Sequence, residues 1–126
     1  KLILPALLIS NLITFAYSCS CMMPKPVREA FRDAKAVFLG TVVQMETVEF
    51  ETTVKFYVHE SWKSAKGQYL TAKTASDSAM CGYYFEMNKT YLVFADKYDD
   101  WSVSLCSRTS LLSAALDDIK TLKRLN

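Results

Sequence analysis

Four cysteines constrain this chain more than any other feature: Cys19, Cys21, Cys81 and Cys106. An even cysteine count in a small exported domain reads as two disulfides. Four cysteines allow three pairings. A Cys19–Cys21 bond would close a small strained ring, so both N-terminal cysteines are expected to reach distant partners. Either remaining pairing closes loops of roughly 60 to 90 residues, worth about 4 kcal/mol each in the chain-entropy model. The loops overlap, so the two values do not add. A four-cysteine zinc site fits poorly, because Cys-x-Cys lacks the usual Cys-x₂₋₄-Cys spacing and the second pair is split by a long segment.

Export is suggested by what precedes Cys19. Lys1 leads an almost continuously apolar run from Leu2 to Ala16, and Ala16-Tyr17-Ser18 sets small residues at the −3 and −1 positions of a cut before Cys19. A basic start, an apolar stretch and a small-x-small site make a secretory signal peptide over residues 1–18. The run is about 15 residues long and contains Pro5 and Asn11, whereas a membrane span needs about 20. Residues 19–126 are then expected as one secreted, extracellular domain. A bacterial lipobox is the competing reading, in which Cys19 would be lipidated; Ala16 stands where that motif usually has leucine.

The formal net charge is +2 over the whole chain. No basic run or stripe stands out, so neither nucleic acid nor a membrane surface is an expected partner. Val27–Lys35 reads as a short helix, with Val27, Ala30, Phe31 and Ala34 on one face. Ala36–Gln44 reads as a strand in which Gly40 marks a bulge or bend. Residues 48–58 alternate with period two, predicting one long strand with Phe50, Val54 and Phe56 inward. Ser61–Gly67 reads as a turn and Gln68–Thr74 as a strand. Thr90–Ala95 and Trp101–Cys106 read as a hairpin through residues 97–100. Ser113 is expected to cap a C-terminal helix burying Leu116, Ile119 and Leu122. The fold class is therefore mainly β: a five-stranded antiparallel OB-like barrel with a short N-terminal helix, a C-terminal helix and two disulfides.

No catalytic constellation emerges, and the chain is not read as an enzyme. His59, the one histidine, lies on the polar side of a strand with no nucleophile signature. Asp99-Asp100 and Asp117-Asp118 are neighbours in sequence and do not face each other. There is no Gly-rich phosphate loop. Tyr83-Tyr84-Phe85 reads as core. Asn88-Lys89-Thr90 fits the N-glycosylation acceptor pattern at Asn88.

Particular words then join the cysteine framework: Cys19-Ser20-Cys21, Pro24, Glu29-Ala30-Phe31, Ala36-Val37-Phe38, Ala79-Met80-Cys81-Gly82-Tyr83, Tyr91-Leu92-Val93 and Ser104-Leu105-Cys106-Ser107. In this order and spacing the chain resembles the N-terminal domain of the tissue inhibitors of metalloproteinases, within the netrin-like (NTR) group. The resemblance implies an OB-type barrel and the pairings Cys19–Cys81 and Cys21–Cys106. It also implies a monomeric secreted inhibitor whose partner is a zinc metalloproteinase. The mature Cys19 amine and carbonyl would bind the zinc of the protease, with no cofactor of the chain's own. Ser20, Cys21, Met22, Ala79 and Met80 would contact the protease beside Cys19. Arg32 stands where the animal inhibitors usually carry a further cysteine, and Met23 where a proline is usual. A non-inhibitory NTR protein-binding module is the alternative.

Overall fold

The computed structural model describes residues 19–125; the proposed signal segment lies outside them. Two helices, α1 (Val27–Asp33) and α2 (Leu116–Leu125), accompany six strands: β1 (Ala36–Val48), β2 (Glu51–Lys63), β3 (Tyr69–Ala75), β4 (Thr90–Lys97), β5 (Trp101–Ser102) and β6 (Ser110–Leu111). The sheet order is β1-β2-β3-β5-β4-β6, and β4 also pairs with β1. Five strands thus form a closed ring, with β6 added beside β4. The ring is not wholly antiparallel: β3 and β5 run parallel through Lys73 and Ser102. Neither described helix is long and apolar enough to cross a membrane.

The ring interior is filled by Phe38, Val42, Val54, Phe56, Phe85, Tyr91 and Val93, among others. Its aromatic rings meet edge to face, Phe38 on Phe56 at 5.4 Å and Phe56 on Phe85 at 5.2 Å between centroids, the arrangement favoured by ring quadrupoles. A second cluster, including Val37, Trp62, Leu92, Phe94 and Leu122, lies between the ring's outer face and the helices. This explains the unbroken apolar run of β4. Its residues are buried on both sides, as in any strand covered on both faces.

Gly40 falls at one of three register shifts between β1 and β2. There a Cβ would approach Phe38 and Phe56 to 3.0 and 3.1 Å.

The long period-two segment is not one strand. Chain reversal occurs at Glu49-Phe50, with Glu49 at φ +55°, and Val48 pairs with Glu51. Cross-strand partners share a face, so Val48 faces outward with Glu51. Phe50 is 73% exposed, while Val54 and Phe56 are buried as expected. A two-residue loop breaks the face assignment without breaking the alternation, which is why the pattern ran straight through it.

Other boundaries shift as well. The segment read as a turn from Ser61 is still β2 as far as Lys63, and its Trp62 is buried. β5 ends at Ser102; beyond it only Ser104 pairs, in an isolated bridge with Gly82. Ser113 lies in a 3₁₀ turn (Leu112–Ala114) and is not the cap of α2. The inward face of α2 carries buried Leu122 and half-buried Ile119, with buried Ala115 just before the helix, and Leu116 is 60% exposed. The aromatic triplet splits: Phe85 is buried, Tyr83 packs partly against it, and Tyr84 is 78% exposed.

Gly82 is the most tightly enclosed of the three glycines. A Cβ there would lie 1.9 Å from the Ala75 carbonyl oxygen, a distance no side chain tolerates, so strand and loop can approach only across a glycine. Gly82→Ala is expected to destabilise the domain by more than about 2 kcal/mol, about 10 °C or more in Tm. Gly67→Ala meets open space but keeps a φ of +87°, and should cost only about 1 kcal/mol. Thermal unfolding of the two variants checks that ranking, and the reverse order would contradict it.

Candidate functional site

The site is built where two loops meet. Asp77 opens the first: its Oδ1 accepts from the Ala79 N–H at 2.9 Å, and its carbonyl accepts from Met80 and Gly82. The result is a 3₁₀ turn, Ser78–Met80, closed by Cys81 in the left-handed conformation at φ +67°. The second loop follows β5. Leu105 N–H donates to the Cys81 carbonyl at 2.7 Å, and Cys106 N–H donates to Ser104 Oγ at 3.0 Å. Buried Thr74 ties the loops to β3. Its hydroxyl donates to the Val103 carbonyl and accepts from the Tyr83 N–H, both at 2.8 Å.

Cys81 and Cys106 are thereby brought side by side, and the N-terminal segment is bonded across them. Cys19 joins Cys81 and Cys21 joins Cys106, with Cα separations of 5.0 and 5.3 Å. These are the pairs that the resemblance implies. All four sulfurs are consumed in disulfides, so the close group of Cys19, Cys21 and Cys106 offers no thiolate to a metal. The bond to Cys81 ties Cys19 to the end of the turn that carries Ala79 and Met80. Ser20, Cys21 and Met22 follow on the surface, with Met22 91% exposed and Met80 48%.

Behind this edge the segment is exposed from Ser20 to Pro26. A groove of about 600 Å³ lies there, lined by Met22, Pro24, Asp33, Phe94, Tyr98 and Ser107. Polar ties hold the segment. Arg108 donates through Nε and Nη2 to the two carboxylate oxygens of Asp118, at 2.7 and 3.0 Å, and through Nη1 to the Lys25 carbonyl at 2.7 Å. That fork holds the Arg108 guanidinium above its ordinary pKa, chiefly through the hydrogen bond to Asp118. Lys25 donates to Asp33 Oδ2 at 2.6 Å. This raises the lysine and lowers the carboxyl from their ordinary values, the hydrogen bond being the main cause in both.

The hairpin tip joins the same edge. Ser76 donates from its N–H to the Phe50 carbonyl at 3.0 Å and from Oγ to the Glu49 carbonyl at 3.3 Å. Phe50, taken from the sequence as core, therefore stands exposed near Met80, both lining one shallow hollow. Neither Phe50 nor Arg108 was legible as a site residue. The Arg108–Asp118 pair spans ten positions with no helical period linking them. Asp77 did carry a local signal, since an aspartate two residues before a turn N–H commonly caps it.

The remaining candidates lie elsewhere. His59 Nε2 is 2.7 Å from Thr41 Oγ1, and its ring stands edge to face with Tyr57 at 5.0 Å. Asp100 pairs with Lys73 at 3.0 Å and Asp118 with Arg108, so each aspartate doublet has a structural use. Asn88 is exposed at φ +66°, its N–H donating to the Val42 carbonyl, and Thr90 Oγ1 is 2.6 Å from Thr41 Oγ1.

Arg108→Lys keeps the charge but loses the fork. It should cost about 1–2 kcal/mol, measured as a lower denaturant midpoint with unchanged slope. Asp33 gives a pH effect of known sign. Its carboxyl is depressed in the folded state, so its contribution is present above the ordinary value near 3.9. That contribution is lost as pH falls through the lower folded value. Asp33→Asn should flatten this part of the acid-side stability curve, and identical acid limbs would contradict it.

No model of a known protein family matches the chain, and no curated protein matches it.

Proposed function

We propose that the mature protein, beginning at Cys19, is a secreted, non-catalytic inhibitor of zinc metalloproteinases, and that its ring of five strands is an OB-type barrel. The observation that carries this reading is the pinned N-terminal edge. Two disulfides fix Cys19 and Cys21, while Ser20 and Met22 between and after them remain exposed. A catalytic zinc keeps one coordination position open for water or substrate. An α-amino group has a reference pKa near 8, so a usable fraction is neutral at pH 7. The Cys19 nitrogen and carbonyl oxygen would offer two donors in a five-membered chelate. Ser20 would point towards the specificity pocket, and Met22 and Met80 would supply apolar contact along the cleft. The disulfides and the Arg108 and Lys25 ties lower the ordering cost of binding.

The framework also suits a netrin-like module that binds some other extracellular protein, and the same experiment separates the two. One alanine placed before Cys19 converts the amine to an amide, a very weak ligand, while leaving both disulfides in place. Against a panel of zinc metalloproteinases the extended protein should inhibit at least about a hundredfold less well. Equal inhibition by both forms would overturn the chelate. Inhibition by neither would leave the binding-module reading.

A further inference from the structure

The two disulfides touch each other. Cys19 Sγ lies 3.5 Å from Cys106 Sγ, its neighbour in the other bridge, and the sulfurs of Cys19, Cys21 and Cys106 all fall within 4.8 Å of one another. Cys21 and Cys106 are exposed, whereas Cys19 and Cys81 are half-buried. An external thiolate therefore reaches the Cys21–Cys106 bridge more readily than its neighbour. A thiolate released at Cys106 would already be at near-attack distance from the Cys19 sulfur.

We propose that this sulfur cluster is a thiol-exchange site, at which a low-molecular-weight thiol such as glutathione swaps the two bridges without net oxidation or reduction. The thiolate attacks Cys21 Sγ; a mixed disulfide forms there and the Cys21–Cys106 bond breaks, leaving its electron pair on Cys106. Cys106 then attacks Cys19 Sγ, forming Cys19–Cys106 and expelling Cys81 as thiolate. Cys81 attacks Cys21 Sγ of the mixed disulfide, forming Cys21–Cys81 and returning the external thiolate. Two bonds have been exchanged for two, and the thiol is a catalyst. The first internal step, Cys106 on Cys19, needs only a contact the fold already provides. The new pairing frees Cys19 from Cys81, and so from the turn that carries Ala79 and Met80.

The consequence for inhibition rests on the proposed chelate; the exchange itself does not. Cys21→Ser removes the first attack and leaves Cys106 free beside the Cys19–Cys81 bridge. In this variant the exchange becomes intramolecular. The folded variant is treated with N-ethylmaleimide, and the peptides carrying Cys81 and Cys106, which trypsin separates, are mapped. Exchange predicts label on both peptides, Cys81 and Cys106, in a fixed ratio. The approach to that ratio should be independent of protein concentration, and of denaturant below the unfolding transition. Label confined to Cys106, or exchange only where the protein unfolds, overturns the proposal.

If Cys21→Ser does not fold, the native protein with catalytic glutathione, acid-quenched and degraded stepwise from Cys19, gives the same decision. Recovery of Cys19 with the Cys106 peptide supports exchange; recovery only with the Cys81 peptide refutes it. Inhibition is assayed on the same samples. Exchange without loss of inhibition counts against the chelate and not against the exchange, and the two failures stay distinct.

Discussion

Two disulfides hold in place a segment that packing alone would not. Residues 20–25 are exposed and share a groove with Phe94 and Asp96 of β4, so their order depends on bonds. The bridges close loops of 62 and 85 residues in sequence separation. Loops of that size each lower the denatured-state entropy by an amount worth about 4 kcal/mol, a large part of a small domain's net stability. The interlaced arrangement also fixes direction, since Cys19 and Cys21 are tied to two loops whose relation is already set. That relation comes from backbone: Gly82 bridges Ser104, and Leu105 donates to the Cys81 carbonyl.

Those loops are held in turn by the ring. β3 supplies Ala75, whose carbonyl excludes any residue but glycine at position 82, and Thr74, whose buried hydroxyl binds both loops. A buried hydroxyl with both roles satisfied is cheap to bury, and costly to disturb when one partner is lost. The aromatic chain from Phe38 to Tyr91 fills the interior behind them. A change in the core thus reaches the surface edge through few intermediates. The helices act from the other side: α1 and α2 cover the outer face of β1 and β4, and Asp118 on α2 holds Arg108, which holds the Lys25 carbonyl.

This architecture separates stiffness from chemistry. Among the described residues, those at the edge are mostly small, polar or thioether side chains on irregular backbone, joined by Phe50 from the hairpin tip, while the regular elements behind carry the packing. Exposed methionines at 22, 23 and 80 give an adaptable apolar surface on a base that does not adapt. Both disulfides lie at this same edge.

Much of this was written in local sequence. The early helix, the β1 strand with its break at Gly40, β3, β4 and the loop at residues 98–100 follow from periodicity, β-branched content and turn residues, because those signals act over a few positions. Ser20 and Met22 were singled out only through the family resemblance, and the structure shows that both are exposed. What the tertiary structure alone decided was everything that depends on two distant segments meeting. The Glu49-Phe50 reversal was hidden because a two-residue loop leaves the alternation intact while changing which face is inward. Phe50 became a surface residue for that reason. The parallel Lys73–Ser102 pairing, the need for glycine at 82, the Arg108 fork and the contact between the two bridges have no local periodicity to announce them. They arise from steric and electrostatic complementarity across the closed ring, and closure is a property of the whole chain.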